Sequence, residues 1–172
     1  MQYTIVRYAR WGMWAAMSAC LLYALYLSRE QFITWRSDPY GGAYLVPPFR
    51  SIDYFIQYAF VSFWLGYVIS FVIAGLCLYG ARILNKRRGG MLFETEELYF
   101  LATGIMVSSH PGWIFYGALV LITYALATFI ASIAYGPHVR VSFYYFWLPC
   151  AIITVVLNVY LRQYAWYAHF LI

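Results

Sequence analysis

The chain reads as an all-α, polytopic transmembrane helical bundle with four spans plus a fifth short or re-entrant helix. Four apolar stretches carry that reading: residues 11–27, 54–81, 113–134 and 141–161 contain no Asp, Glu, Lys, Arg or His. About 20 helical residues cross a hydrocarbon core of ~30 Å, so each stretch is long enough, or nearly so. The composition agrees, because 65% of the 172 residues are hydrophobic and only 10% are charged. A soluble domain carries roughly a quarter charged residues. No polar interval could clothe an independent globular unit, so a single membrane-embedded domain over 1–172 is expected.

Each element has its own signal. Arg7 and Arg10 ahead of the first apolar run resemble a signal peptide, but the run ends in Ser28-Arg29-Glu30 rather than a small-x-small cleavage site, so a retained signal anchor is expected. A polar loop over 28–53 follows. It holds Asp38-Pro39-Tyr40-Gly41-Gly42, a turn signal, and Pro47-Pro48, which stops any helix there. In the second run, Gly66, Ser70 and Ala74 recur at four-residue spacing, a small-xxx-small face suited to close helix packing. Arg82, Lys86, Arg87 and Arg88 end that run and anchor it on the cytoplasmic side.

Beyond residue 90 the side of each element stays open. The short helix expected at about 96–109 is too brief in its apolar part to cross alone. Counting Lys and Arg gives seven against four whether it crosses or not. His110-Pro111-Gly112 and Tyr135-Gly136-Pro137-His138 mark turns, making the last two long spans an antiparallel hairpin. Pro149 is expected to kink the final span.

The formal charge of +5 sits at span ends, which marks cytoplasmic loops rather than a nucleic-acid face. The expected partners are therefore the lipid bilayer and other membrane subunits, with no nucleic acid. Cys20, Cys77 and Cys150 are odd in number and lie within apolar runs, where cysteine packs as a small side chain. His110, His138 and His169 fall in turns or the tail, and no His, Cys or carboxylate cluster has metal-ligand spacing. No cofactor or metal is expected, although a subunit of a pigment- or haem-associated complex is a further reading.

Three of the six acidic residues fall together at Glu94, Glu96 and Glu97. Thr95 can act as the N-cap of the short helix, with the glutamates complementing the helix dipole and answering the basic cluster at 82–88. The chemical alternative is a carboxylate pair, Asp38 with Glu96, in which one carboxyl keeps its proton while the other activates water.

The segment Gly89-Gly90-Met91 through Gly104, with Thr95-Glu96-Glu97-Leu98-Tyr99-Phe100-Leu101-Ala102-Thr103-Gly104, resembles the second aspartate motif of the type IV prepilin peptidases. In that family a Gly-x-Gly-Asp opens a short helix that ends in small residues and glycine. Arg140-Val141-Ser142-Phe143-Tyr144-Tyr145-Phe146 resembles the family's Arg-x-Pro-Phe-Gly-Pro-Phe entry to its last helix. The likeness covers about residues 55–165. Glu96 stands where the family has its catalytic Asp, Thr95 replaces the preceding Gly, and Ser142 replaces the Pro. Glu places its carboxyl one methylene further out, so the resemblance implies an inactive copy.

The expectation is a non-catalytic subunit of a multi-protein assembly in the cell inner membrane, with a cytoplasmic N-terminus. A pilus, secretion or conjugation apparatus is the host that the resemblance favours. An intramembrane aspartyl-type peptidase is the alternative.

Overall fold

A computed structural model describes residues 2–89, 92–136, 141–164 and 167. It contains helices α1 (Gln2–Ser37), α2 (Ile52–Ala59), α3 (Leu65–Arg87), α4 (Thr95–Ser108), α5 (Gly112–Tyr135) and α6 (Trp147–Leu161). A π-helical turn, Phe60–Trp64, joins α2 to α3, so Ile52–Arg87 is one continuous rod of 36 residues. Four of these helical stretches are long and apolar enough to cross a membrane. The chain is an all-α bundle and a membrane protein.

Contacts fix the direction of every helix. Trp64 Nε1 donates to Ser28 Oγ (3.0 Å), and Phe32 and Trp35 meet Phe55, so α1 and the α2–α3 rod run antiparallel. At one end of α4, Arg82 Nη2 donates to Tyr99 Oη (2.8 Å); at the other, the His110 amide donates to the Gly66 carbonyl (3.3 Å). Hence α3 opposes α4, and α1 runs parallel to it. Thr123 Oγ1 lies 3.5 Å from Cys150 Sγ, while Asn158 Nδ2 donates to the Ser108 carbonyl (3.2 Å). Thus α5 descends beside α6, and α6 rises beside α4. Directions alternate through five rods, which the charge count alone did not decide.

The axis of the bundle is α4. Nine of its fourteen residues are buried, against three of twenty-four in α5. Ala102, Ile105 and Met106 pack with Ala9 and Met13 of α1, Ala74 of α3, Tyr116 and Val120 of α5, and Cys150 and Ala151 of α6. The outward faces of α3 and α5 carry exposed apolar residues such as Val72, Leu76, Leu121 and Phe129. That distribution suits a lipid solvent, whose tails are as apolar as the side chains facing them.

Several sequence expectations are corrected. Residues 28–37, read as loop, are the last three turns of α1. Ser28, Thr34 and Ser37 donate their hydroxyls to carbonyls four residues back, and Phe32 and Trp35 pack on Phe55. Falling hydropathy ended the apolar run there without ending the helix. Glu94, not Thr95, caps α4, with the Glu97 side chain reciprocating in a capping box. Pro149 lies in the first turn of α6, where a missing N–H has no helical partner to lose, so it produces no interior break. The final span opens with a 3-10 turn at Phe143–Tyr145 before α6 begins. Gly136, at φ +96°, ends α5, and the rest of the turn expected at 135–138 lies outside the described residues.

Candidate functional site

Polar chemistry gathers at the two ends of α4. At its start the chain must leave α3 and re-enter the bundle without helical hydrogen bonds. Asn85 supplies them: its Nδ2 donates to the Phe93 carbonyl (2.8 Å), and its Oδ1 accepts from the amides of Leu92 and Phe93 (3.1 and 3.2 Å). These bonds satisfy backbone groups that have no helical partner between the two helices. Phe93, Tyr124, Phe143 and Trp147 stack into an aromatic layer beside this turn.

Within that setting Glu96 and Glu97 are only 4% and 3% exposed. Glu97 Oε2 accepts from the Glu94 amide (3.1 Å), and Oε1 accepts from Ser142 Oγ (3.0 Å), tying α4 to the segment entering α6. Glu96 Oε2 is buried without a hydrogen-bond partner. The Glu94 carboxyl, on the exposed side, is raised above its ordinary value by burial, by the charges of Glu96 and Glu97, and by a hydrogen bond to Glu96. The basic cluster does not answer these glutamates. The one ion pair among the described residues is Arg29–Glu30 (2.8 Å), and Arg82 instead bonds Tyr99.

At the other end of α4, Ser109 adopts φ +54°, ψ 171°, a region costly for a residue with a side chain. Trp113 Nε1 donates to His110 Nδ1 (3.3 Å). The buried Asn158 holds the Ser108 carbonyl through Nδ2, and its Oδ1 accepts the Tyr167 hydroxyl. Two cavities flank this turn. One, of about 530 Å³, lies between α1, α4 and α6 and is lined by Ala16, Ala19, Val107, Val155 and Val159 among others. The second, of about 280 Å³, lies against the π-turn beside Ser62, Gly66 and His110. Both share Tyr23, Tyr67, Ser109 and Arg162.

The carboxylates expected to form a pair are not brought together. Cys20 Sγ lies 4.0 Å from the Met106 carbonyl, which sets α1 and α4 level at those residues. Asp38 is eighteen residues beyond that level and Glu96 ten residues before it, which at 1.5 Å per residue separates them by about 40 Å. Asp38 is also engaged locally, accepting from the amides of Tyr40 (3.0 Å) and Gly42 (2.9 Å). The two carboxyl groups cannot share a water or a proton.

The Gly66, Ser70 and Ala74 face of α3 meets α4 and its following turn. Ser70 and Ala74 are fully buried, and a Cβ on Gly66 would lie 3.2 Å from Ser109 Oγ. Arg82 stands on Tyr99, while Lys86, Arg87 and Arg88 are exposed at the end of the rod. No group of three His, Cys, Asp or Glu able to share a metal occurs among the described residues. His138 and His169 lie outside them. Sequence reasoning assigned no site role to Asn158, Arg162 or Ser109. Asn158, a lone amide within an apolar run, carried the one usable signal.

The fold and these two polar ends define an α-helical integral membrane protein organised around a short buried helix. Comparison with protein-family models, curated proteins and solved structures finds no match for the chain.

Proposed function

We propose that the chain is a non-catalytic integral membrane subunit of a multi-protein assembly in the cell inner membrane, with its N-terminus in the cytoplasm. The observation that carries this reading is a two-helix arm. α4 ends, α5 begins and α6 ends near the level of Cys20 and Gly66, whereas α1 and the α2–α3 rod continue past it. At 1.5 Å per residue the seventeen further residues of α1 extend the arm by about 25 Å. Its own core is small: Val46, Phe55 and Ala59 with Phe32, Trp35 and Phe63. At its tip Tyr40 is 96% and Phe49 66% exposed, and Tyr44 is exposed beside them. Aromatic side chains held at an exposed tip favour a protein partner, since such residues are enriched at interface cores.

The orientation follows from charge. Arg7, Arg10, Arg82, Lys86, Arg87 and Arg88 belong to the end where α1 starts and α3 stops; Arg29, Arg36, Arg50 and Arg162 belong to the other. The end with the larger share faces the cytoplasm under the positive-inside tendency. α4 then makes a fifth crossing, completed by the irregular segments at its ends. A pilus, secretion or conjugation apparatus is the host favoured by the likeness around Glu96 and Gly104.

Co-purification in mild detergent tests the assembly. Stoichiometric partners are expected with the native chain, and they should be lost when Tyr40, Tyr44 and Phe49 are changed together to Ser, with helicity unchanged. Recovery of the native chain solely as a free monomer from its own membrane refutes the reading.

A further inference from the structure

Arg162 is a guanidinium with no countercharge among the described residues. It makes no ion pair or side-chain hydrogen bond among the described residues, and no carboxylate lines either cavity that it borders. Tyr67 and Arg162 line both cavities, so the two side chains border one spot. The two cavities meet there through Tyr23, Tyr67, Ser109 and Arg162.

We propose that this crevice binds one anionic phospholipid. The phosphate sits against Arg162, with the hydroxyls of Tyr67 and Ser109 as further donors. One acyl chain lies in the larger cavity against Ala16, Ala19, Val155 and Val159.

Three features select this occupant. Arg162 is exposed at the rim of both cavities and unpaired among the described residues, so an anionic headgroup there would gain a charge-assisted hydrogen bond that a zwitterionic or neutral one would share with its own cation or lack. The larger cavity, at about 530 Å³, is within the roughly 300–1,000 Å³ typical of ligand pockets. Ala16, Ala19, Val107, Val155 and Val159 give it an apolar wall, so a free phosphate would leave that surface unused. Helices α1 and α6, which border the crevice, carry exposed apolar residues such as Leu22, Val156 and Val159, a surface along which a lipid chain could enter. Basic pockets between membrane helices recognise headgroups in this way. The inference rests on the membrane class of the protein and not on its membership of an assembly.

Native mass spectrometry of the full chain in mild detergent tests it, with phosphatidylglycerol and phosphatidylcholine of matched acyl chains as probes. The native chain is expected to hold one phosphatidylglycerol at least about tenfold more tightly than phosphatidylcholine, the equivalent of one charge-assisted bond. Arg162→Gln should abolish that preference, and Val155→Phe, which fills the apolar cavity, should weaken both lipids. Arg50→Gln, a charge-matched change on the distant arm, should leave the preference intact. Equal retention of the two lipids by the native chain overturns the proposal without any variant being needed. So does an undiminished preference in Arg162→Gln, displacement of phosphatidylglycerol by millimolar inorganic phosphate alone, or a lipid-free dimer that Val155→Phe disrupts.

Discussion

Among the described glycines Gly104 leaves the least room for a side chain, and replacing it tests the α4–α5 packing directly. A Cβ built there would stand 2.2 Å from Cζ and Oη of Tyr116 and 2.7 Å from Cε1. Carbon atoms in contact sit at about 3.5–4.0 Å, so the two helices must separate by more than ~1 Å or the ring must turn. Tyr116 is 0% exposed, so the ring cannot swing aside into solvent. Overpacking of this kind costs about 1–3 kcal/mol, against which alanine's helix preference over glycine returns at most about 1 kcal/mol. Gly117 of α5 is the internal control, since nothing lies within 4 Å of a Cβ there. Gly117→Ala is therefore expected to be neutral or slightly stabilising. Gly104→Ala should unfold more easily than Gly117→Ala by about 1–3 kcal/mol, measured by denaturing-detergent titration followed by circular dichroism. Tyr116→Leu should reduce the Gly104→Ala penalty when the two are combined, giving a coupling energy of about 0.5 kcal/mol or more. Equal stability of the two alanine variants refutes the packing argument.

Glu97→Ala should destabilise by about 1–3 kcal/mol, because the Glu94 amide and Ser142 hydroxyl lose their acceptor in a buried setting; Ser142→Ala, which removes one of these bonds, should cost less in the same titration. Glu94 has a folded-state value raised above 4.5, so the folded chain holds its proton more tightly than the unfolded chain does. That contribution to stability is present below 4.5 and is lost as pH rises through the raised value. Glu94→Gln should flatten this fall in a series of melting curves over that window, and an unchanged pH profile would contradict it. Ser109→Gly should stabilise the chain by about 1 kcal/mol by relieving a conformation that glycine adopts freely; a loss of stability would show that the Ser109 side chain matters more than its backbone.

Much of the fold was legible because apolar runs and turn residues are local signals. The short helix expected at 96–109 is Thr95–Ser108, and the run 113–134 is Gly112–Tyr135. The misread boundaries share a cause. A drop in hydropathy at Ser28-Arg29-Glu30 ends the apolar run, whereas α1 continues because Phe32 and Trp35 find partners on α2. Pro149 reads as a kink only if the helix is assumed to start at 141 rather than at Trp147. The site was far less legible. The pairing of Gly104 with Tyr116 and of Asn158 with Ser108, and the meeting of Arg162 and Tyr67 at one crevice, depend on helix directions that charge counting left balanced. The proposed Asp38–Glu96 pair failed for the same reason. Both residues lie near helix ends, but α1 and α4 run parallel, so a C-terminal end and an N-terminal end face opposite sides.

Alternation of five rods is the claim on which orientation, arm and crevice all depend. Single cysteines at Arg88, Tyr40 and Gln163, in a chain with Cys20, Cys77 and Cys150 replaced by Ala, can be labelled by a membrane-impermeant maleimide in intact cells and in inverted vesicles. Labelling at 40 and 163 from the same side, with 88 reached solely from the other, is the predicted pattern. Labelling of 163 together with 88 would mean that α4 does not complete a crossing, and the arrangement described here would be wrong.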